Sequence, residues 1–394
     1  MQRIGIYGGT FNPPHLGHLR LAQYALKVLE LDKLLMIPDR IAPHKKMPDN
    51  TPLPEQRLQM LKLLVQSEPK MEASAAELDR EGPSYTYETV AQVRAMYPDA
   101  QLYLLMGSDM LESFHNWKER EEIQKQVTLV AFLRGTKGER ETRLLAKQKL
   151  EAEGAHVILQ ENPVTEISST NLRRMLVFQC AKPFLTDEVW DYIHQNSLYA
   201  TAKNYRNLSI PELEKEVTAL LKESRVAHVL GCAQTAGELA RLYGVNETDA
   251  VRAALLHDVT KALDGPLQLT LCREYGMMLD KFSEANPKTL HALTGSLVAQ
   301  RIFGEKEAVV EAIRSHTTGK ADMNVLEMII YVADYMEPNR DFPGVEALRS
   351  LAYSDIAKAL KLGLTMTLDM LHRQQREVSP ESSQALAWLE STGV

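Results

Sequence analysis

The chain is poor in the features that mark secreted, membrane-bound or nucleic-acid-binding proteins. Its three cysteines, Cys180, Cys232 and Cys272, are odd in number, widely spaced and without a CxxC pair. A disulfide framework is therefore not expected, and a reducing cytoplasm is the simpler setting. No stretch is long and apolar enough to span a bilayer. The N-terminus enters a strand-like run with no basic n-region or apolar h-region, so a soluble, cytoplasmic protein with no membrane partner is expected. Basic excess is also lacking. Lys and Arg number 45 against 52 Asp and Glu, a formal charge of −7, with about −2 on residues 1–200 and about −5 on the remainder. That balance argues against nucleic acid as a dedicated partner. Internal repeats and low-complexity segments are absent.

What is present points to two different folds. At 394 residues the chain exceeds one ordinary core. Up to about residue 195, strand-like runs at residues 3–7, 34–37, 102–106, 128–132 and, more weakly, 156–159 alternate with amphipathic segments at 16–29, 54–65, 87–96, 120–126 and 139–153. Alternation of this kind predicts an α/β, doubly wound parallel sheet whose ligands bind at the carboxyl ends of the strands. A polar stretch without either period follows, and Pro211 then opens a helix. Beyond it only helical stripes occur, at 213–221, 226–242, 250–262, 290–303, 308–316, 325–335 and 356–372, predicting an all-α second half. The expected boundaries are a first domain at 1–197, a linker at 198–210 and a second domain at 211–394.

In the first half, a strand breaks at Gly8 and Gly9 and leads through Thr10 and Phe11 to His15-Leu16-Gly17-His18 at a helix start. Paired glycines let the backbone approach a phosphate, and two imidazoles beside unpaired helix N–H groups can stabilise developing negative charge. Ile167-Ser168-Ser169-Thr170-Asn171-Leu172-Arg173-Arg174 adds a capped helix start with a cationic fork. Gly107-Ser108-Asp109 follows a strand, where a carboxylate can accept from ribose hydroxyls; Trp117, Thr86 and Lys45 occupy loops. GGTFNPPHLGH, the segment from GSD to Trp117, and ISSTNLRR together resemble bacterial nicotinate-nucleotide adenylyltransferases of the HxGH superfamily, whose fold is Rossmann-like. The resemblance implies transfer of AMP from ATP to nicotinate mononucleotide with Mg²⁺, giving deamido-NAD and pyrophosphate. It assigns catalysis to His15, His18 and Arg173, and ATP phosphates to Gly8, Gly9, Thr10, Phe11, Gly107, Ser169, Thr170 and Arg173. It places Asp109 at the adenosine ribose, Thr86 and Trp117 at the nicotinate ring, and Lys45 at the mononucleotide phosphate. Nicotinamide mononucleotide and phosphopantetheine are rival acceptors.

In the second half, His228, His257-Asp258, His291, His316 and Asp334 fall on or beside apolar helical runs, where a carboxylate is costly unless paired or bound to metal. Imidazole and carboxylate donors suit Fe, Mn, Co or Zn, and no thiolate belongs to this set. The order H, HD, H, H, D, with HDVTK, SHTTG and YVADYMEPNRDFPGVEALR, resembles HD-domain phosphohydrolases, and among them the bacterial symmetrical diadenosine-tetraphosphate hydrolases. This implies two metal ions, iron foremost. His228, His257, Asp258 and Asp334 would hold one, and His291 and His316 the other, with Asp258 bridging. Lys261 and Arg340 would neutralise dinucleotide phosphates, with Lys261 assisting catalysis, and the products would be two ADP. The rival is a metal-bound nucleotide sensor without turnover. The sequence leaves a homo-oligomer open.

Overall fold

The computed structural model describes residues 1–43, 47–133, 138–161 and 167–393. It divides into two compact units, Met1–Ala202 and Lys203–Val394. Leu198 and Tyr199, in the stretch expected to be a linker, are buried in the first unit, and Tyr205 packs edge-on against Phe303 at 5.6 Å in the second.

The first unit is built on a six-stranded sheet in the order β3-β2-β1-β4-β5-β6. The strands are β1 (Arg3–Gly9), β2 (Lys33–Pro38), β3 (Met71–Ala73), β4 (Gln101–Gly107), β5 (Val127–Leu133) and β6 (His156–Glu161), and every pair is parallel. Residues of both parities are buried in β1, β2, β4 and β5, as expected for strands covered on both faces. Helices connect successive strands. The first, Leu16–Val28, turns Leu19, Leu21, Ala22 and Ala25 inward. The expected strands all occur, each two residues longer than its periodic run. Among the described residues β3 alone is new, because three residues are too few to display a period.

The strand order reverses between β1 and β4, which run side by side with Tyr7 opposite Leu105. Their carboxyl ends, Gly8-Gly9 and Gly107, therefore lie at one edge of the sheet, where the helices Leu16–Val28 and Ser108–Ser113 begin. The turn after β1 is braced from beneath by Arg57, which is 1% exposed. Its guanidinium donates to Thr10 O at 2.6 Å, Asp39 Oδ1 at 2.9 Å and Asp39 O at 2.7 Å, while the Thr10 hydroxyl donates to Asp39 Oδ2 at 2.9 Å.

The second unit has no strand among its described residues. Its α-helices are Ile210–Leu220, Glu223–Tyr243, Glu247–Leu256, Gly265–Glu274, Lys281–Ala285, Leu290–Val298, Glu307–Ser315, Val325–Met336, Val345–Ala352, Ile356–Arg373 and Pro380–Ser391. The stripe expected at 250–262 does not continue as one helix. It stops at Leu256 with His257 as its C-cap, and residues 258–262 form turns. Asp264 then starts a new helix, accepting from Leu267 N. Among the described residues no helix is long and apolar enough to cross a membrane.

Replacing Arg57 with Met leaves the buried Asp39 carboxylate without its countercharge and the Thr10 carbonyl without the guanidinium donor, and is expected to destabilise the first unit by about 3 kcal/mol. In a Trp388→Phe background the remaining tryptophans, Trp117 and Trp190, both report on that unit. The urea midpoint of their fluorescence transition measures the effect, and an unchanged midpoint would refute the brace.

Candidate active sites

His15 and His18 cap the first helix reciprocally. His15 lies outside the helix, with φ −151° and ψ 170°, and its Nδ1 accepts from His18 N at 3.3 Å. His18 Nδ1 accepts in return from His15 N at 3.2 Å. Each Nδ1 is thus an acceptor, which places the proton of each neutral ring on Nε2. The rings stack with centroids 3.6 Å apart, and Phe11 sets its ring against His18 at 5.0 Å. Gly17 makes this possible: a Cβ there would stand 3.0 Å from His15 Nδ1 and displace the ring. Burial, with His18 nearby, pushes His15 well below the ordinary imidazole value, and burial pushes His18 down to about 3. The pair is therefore neutral near pH 7, two adjacent Nε2–H donors at a helix N-terminus.

The helix Ser169–Val177 is tied to the same turn. Its Ser169 hydroxyl donates to Pro13 O at 3.1 Å. Arg173 donates to Asn12 O at 2.7 Å and to Thr170 Oγ1 at 3.1 Å. Ser168 caps that helix by accepting from Asn171 N at 3.1 Å. The fold thereby gathers Gly8 to His18 with Ser169, Thr170 and Arg173. Gly107 ends β4 in the adjoining strand, and Asp109 lies in the first turn of the helix after it. Thr86 opens the helix Thr86–Met96, and Trp117 follows a 3₁₀ turn, half-buried, its ring 5.3 Å from Phe114. Lys118 links those two segments, its ammonium 4.3 Å from the Tyr85 ring centroid and 5.5 Å from that of Tyr87. Lys45 lies outside the described residues.

The second centre gathers side chains from five helices. His228 comes from Glu223–Tyr243, His257 with Asp258 from the end of Glu247–Leu256, and His291 from Leu290–Val298. His316 caps Glu307–Ser315, and Asp334 sits in the last turn of Val325–Met336. All four histidines are buried. Each has an oxygen partner on Nδ1: Glu337 Oε1 at 3.1 Å for His228, Ala254 O at 2.6 Å for His257, Lys288 O at 2.9 Å for His291 and Ile313 O at 2.6 Å for His316. Nδ1–H donates in every case, so Nε2 presents a lone pair.

These lone pairs converge on the two carboxylates. His228 Nε2 is 3.3 Å from His257 Nε2 and 3.1 Å from Asp334 Oδ1. Asp258, 1% exposed, turns Oδ2 towards His257 and His228 at 3.6 and 3.9 Å, and Oδ1 towards His291 and His316 at 3.5 and 3.9 Å. Oδ1 has no hydrogen-bond donor. Burial is the main cause that pushes His257 and His291 well below the ordinary imidazole value, and His316 down to about 4. Burial alone would raise Asp334, but its contact with His228 and the charge of Arg340 outweigh it and hold the carboxyl well below its ordinary value. Neutral imidazole acceptors packed against carboxylates, one oxygen of which is buried without a hydrogen-bond donor, form a set that fits divalent metal.

Cations already lean on the rim. Arg225 pairs with Asp258, Arg340 donates to Asp334 Oδ1 at 2.7 Å, and Lys261 Nζ lies 2.7 Å from His291 Nε2 and 3.6 Å from Asp258 Oδ1. Burial lowers the Lys261 ammonium to about 8.

Comparison with known proteins agrees with these two constellations. A Cytidylyltransferase-like family profile matches residues 6–175, and an HD domain profile matches residues 225–339. The nicotinate-nucleotide adenylyltransferase of Bacillus subtilis is 36% identical over 203 residues, half of this chain and 99% of that protein. The first half of the chain belongs to the nicotinate-nucleotide adenylyltransferase family. A Geobacillus thermodenitrificans protein named "probable nicotinate-nucleotide adenylyltransferase" is 46% identical over 134 residues, 34% of this chain and 62% of its own length. Residues beyond the adenylyltransferase unit form an HD domain. A solved Clostridium acetobutylicum structure described as a "predicted HD superfamily hydrolase involved in NAD metabolism" is 34% identical, covering 47% of this chain and 98% of that one, with a TM-score of 0.46.

Four side chains at the HD centre escaped the sequence reading. Arg225 and Glu337 lie beside it in sequence, and Thr317 bridges His291 and His316 Nε2 at 3.0 Å each. The fourth lies beside the expected donor set: Cys232, one turn after His228, is a buried thiol with Sγ 3.7 Å from His228 Nε2. The signals were the i+4 spacing from His228 and the carboxylate inside MEPN. Gly231 leaves room for Glu337, since a Cβ there would fall on its Oε2.

For the adenylyltransferase pair the proton balance has a definite sign. The folded values of His15 and His18 lie below the unfolded value of about 6.5, so the unfolded chain binds protons first, and stability is lost as pH falls from about 6.5 towards the folded values. In histidine-labelled protein, with the His18 signal assigned from a His18→Gln variant, no titration step is expected for His18 between about pH 8 and pH 5. A step near 6.5 would contradict the reciprocal cap.

Proposed function

We propose that the chain is a bifunctional enzyme whose two centres act on adenosine phosphates. The first unit would transfer AMP from ATP, supplied with Mg²⁺, to nicotinate mononucleotide, releasing pyrophosphate. The observation that carries this reading is the fixed pair of Nε2–H donors at the helix start, held beside Arg173. Phosphoryl transfer needs in-line positioning and charge stabilisation rather than a covalent nucleophile. His15 and His18 would donate to phosphate oxygens as charge builds at the α-phosphorus. Ser169, Thr170 and Arg173 would hold the leaving phosphates against the Gly8 to Phe11 turn, and Gly107 would leave space for them. Asp109 would take the ribose, Thr86 and Trp117 the nicotinate ring, and Lys45 the mononucleotide phosphate.

The HD domain would hydrolyse diadenosine tetraphosphate to two ADP. His228, His257 and Asp334 would hold one metal and His291 and His316 another, with the two oxygens of Asp258 divided between them; that division in the observed geometry supports the reading. Iron, manganese, cobalt or zinc fits the donors, and when bound would supply activated water and charge neutralisation. Arg340 and Lys261 are placed to receive phosphate oxygens.

Full-length protein should turn over nicotinate mononucleotide in preference to nicotinamide mononucleotide or phosphopantetheine, and His18→Ala should lower kcat by about 100-fold or more. Preference for another acceptor would overturn the assignment. Incubation of metal-replete protein with diadenosine tetraphosphate should give ADP alone, with Asp258→Asn abolishing it. If wild type gives no ADP, the HD domain is a nucleotide sensor instead.

A further inference from the structure

The HD centre contains a donor that the histidine and aspartate pattern does not include. Cys232 lies four residues after His228 on the helix Glu223–Tyr243, so both side chains leave the same face. Its thiol is 1% exposed and directed at Ala333 O at 3.8 Å, the carbonyl next to Asp334. Cys232 Sγ, one ring nitrogen each of His228 and His257 and an Asp334 oxygen all lie within 4.8 Å of one another.

The dimensions are those of a metal cage. A four-coordinate ion with nitrogen or oxygen donors at about 2.0–2.2 Å and sulfur at about 2.3 Å separates its donors by about 3.3–3.8 Å. The observed separations are 3.3 Å for His228 to His257, 3.7 Å for Cys232 to His228 and 3.8 Å for His257 to Asp334, with His228 to Asp334 slightly shorter at 3.1 Å. Cys232 is not a lone thiol in a core. The other carboxylate of the centre, buried Asp258, turns Oδ2 towards the same His228 and His257 at 3.9 and 3.6 Å.

We propose that Cys232 is a further protein ligand, beside Asp258 Oδ2, to the metal held by His228, His257 and Asp334, and that its sulfur biases this position towards cobalt, iron or zinc over manganese or magnesium. Ligation breaks the S–H bond and forms a sulfur–metal bond; the proton passes to solvent and no electrons are transferred. A thiolate donor favours softer ions, whereas an all-oxygen and nitrogen set admits manganese more readily. The inference rests on the HD centre holding metal, but not on its hydrolysing anything.

The test uses the full chain loaded with cobalt(II), whose visible d–d bands report binding and whose near-ultraviolet charge-transfer band reports a thiolate ligand. Wild type should show both. Cys232→Val should lose the charge-transfer band and bind cobalt about tenfold or more weakly, with a smaller loss for manganese. Visible bands without a charge-transfer band, or a charge-transfer band that survives in the valine variant, would overturn the role of Cys232 while leaving the metal centre intact. Absence of any cobalt binding would overturn the metal centre as well. Should the valine variant not fold, Cys232→Ser repeats the measurement.

Discussion

A histidine has two ring nitrogens, and in both centres the backbone around a helix terminus takes one of them and leaves the other for a ligand. At the N-terminus of Leu16–Val28 the unpaired groups are N–H donors, so Nδ1 of His15 and His18 must accept, and Nε2–H points outward. At the C-termini of Glu247–Leu256 and Glu307–Ser315 the unpaired groups are carbonyls. Nδ1–H of His257 and His316 must therefore donate, and an Nε2 lone pair points inward. The same side chain becomes an anion-binding donor in one unit and a cation-binding acceptor in the other. Burial acts alike on both, favouring the neutral ring, so the local hydrogen bond rather than net charge sets the polarity.

The surrounding elements serve to keep those termini in place. In the first unit the parallel sheet brings the ends of β1 and β4 together, and Arg57 fixes the turn after β1 through two residues on its partner side. In the HD domain five separate helices deliver one or two donors each, so the centre exists only when the helices are packed. Glu337 shows how far this support extends. It orients His228 through Nδ1 while its other oxygen accepts from Asn339 N at 2.7 Å and Asn339 Nδ2 at 2.9 Å.

Much of this was legible in the sequence, for identifiable reasons. The apolar runs at 3–7, 34–37 and 102–106 mark strands buried on two faces, and GGTFNPPHLGH places both histidines at a helix start. The HD histidines were legible as polar residues in apolar stripes. The reach of the stripe at 250–262 was misread because apolar spacing continues through Val259 and Ala262, although the helix ends at Leu256. Burial in turns looks like burial in a helix when only period is counted. Cys232 was hidden for another reason: a buried small thiol is ordinary in a helix core, and only three-dimensional packing puts His257 and Asp334 beside it.

The dependence on helix termini bears on how the chain can vary in length. One residue added within a helix turns everything beyond it by about 100° and advances it by about 1.5 Å. Inserted between Glu247 and Leu256, such a residue would carry His257 and Asp258 off the metal-facing side together. The same residue added in the turns before Asp264, or between the helices that follow, would leave every donor where it is. Length variation among relatives of this unit should therefore gather in the connections, and the residue count from each helix start to its histidine should behave as a fixed reading frame.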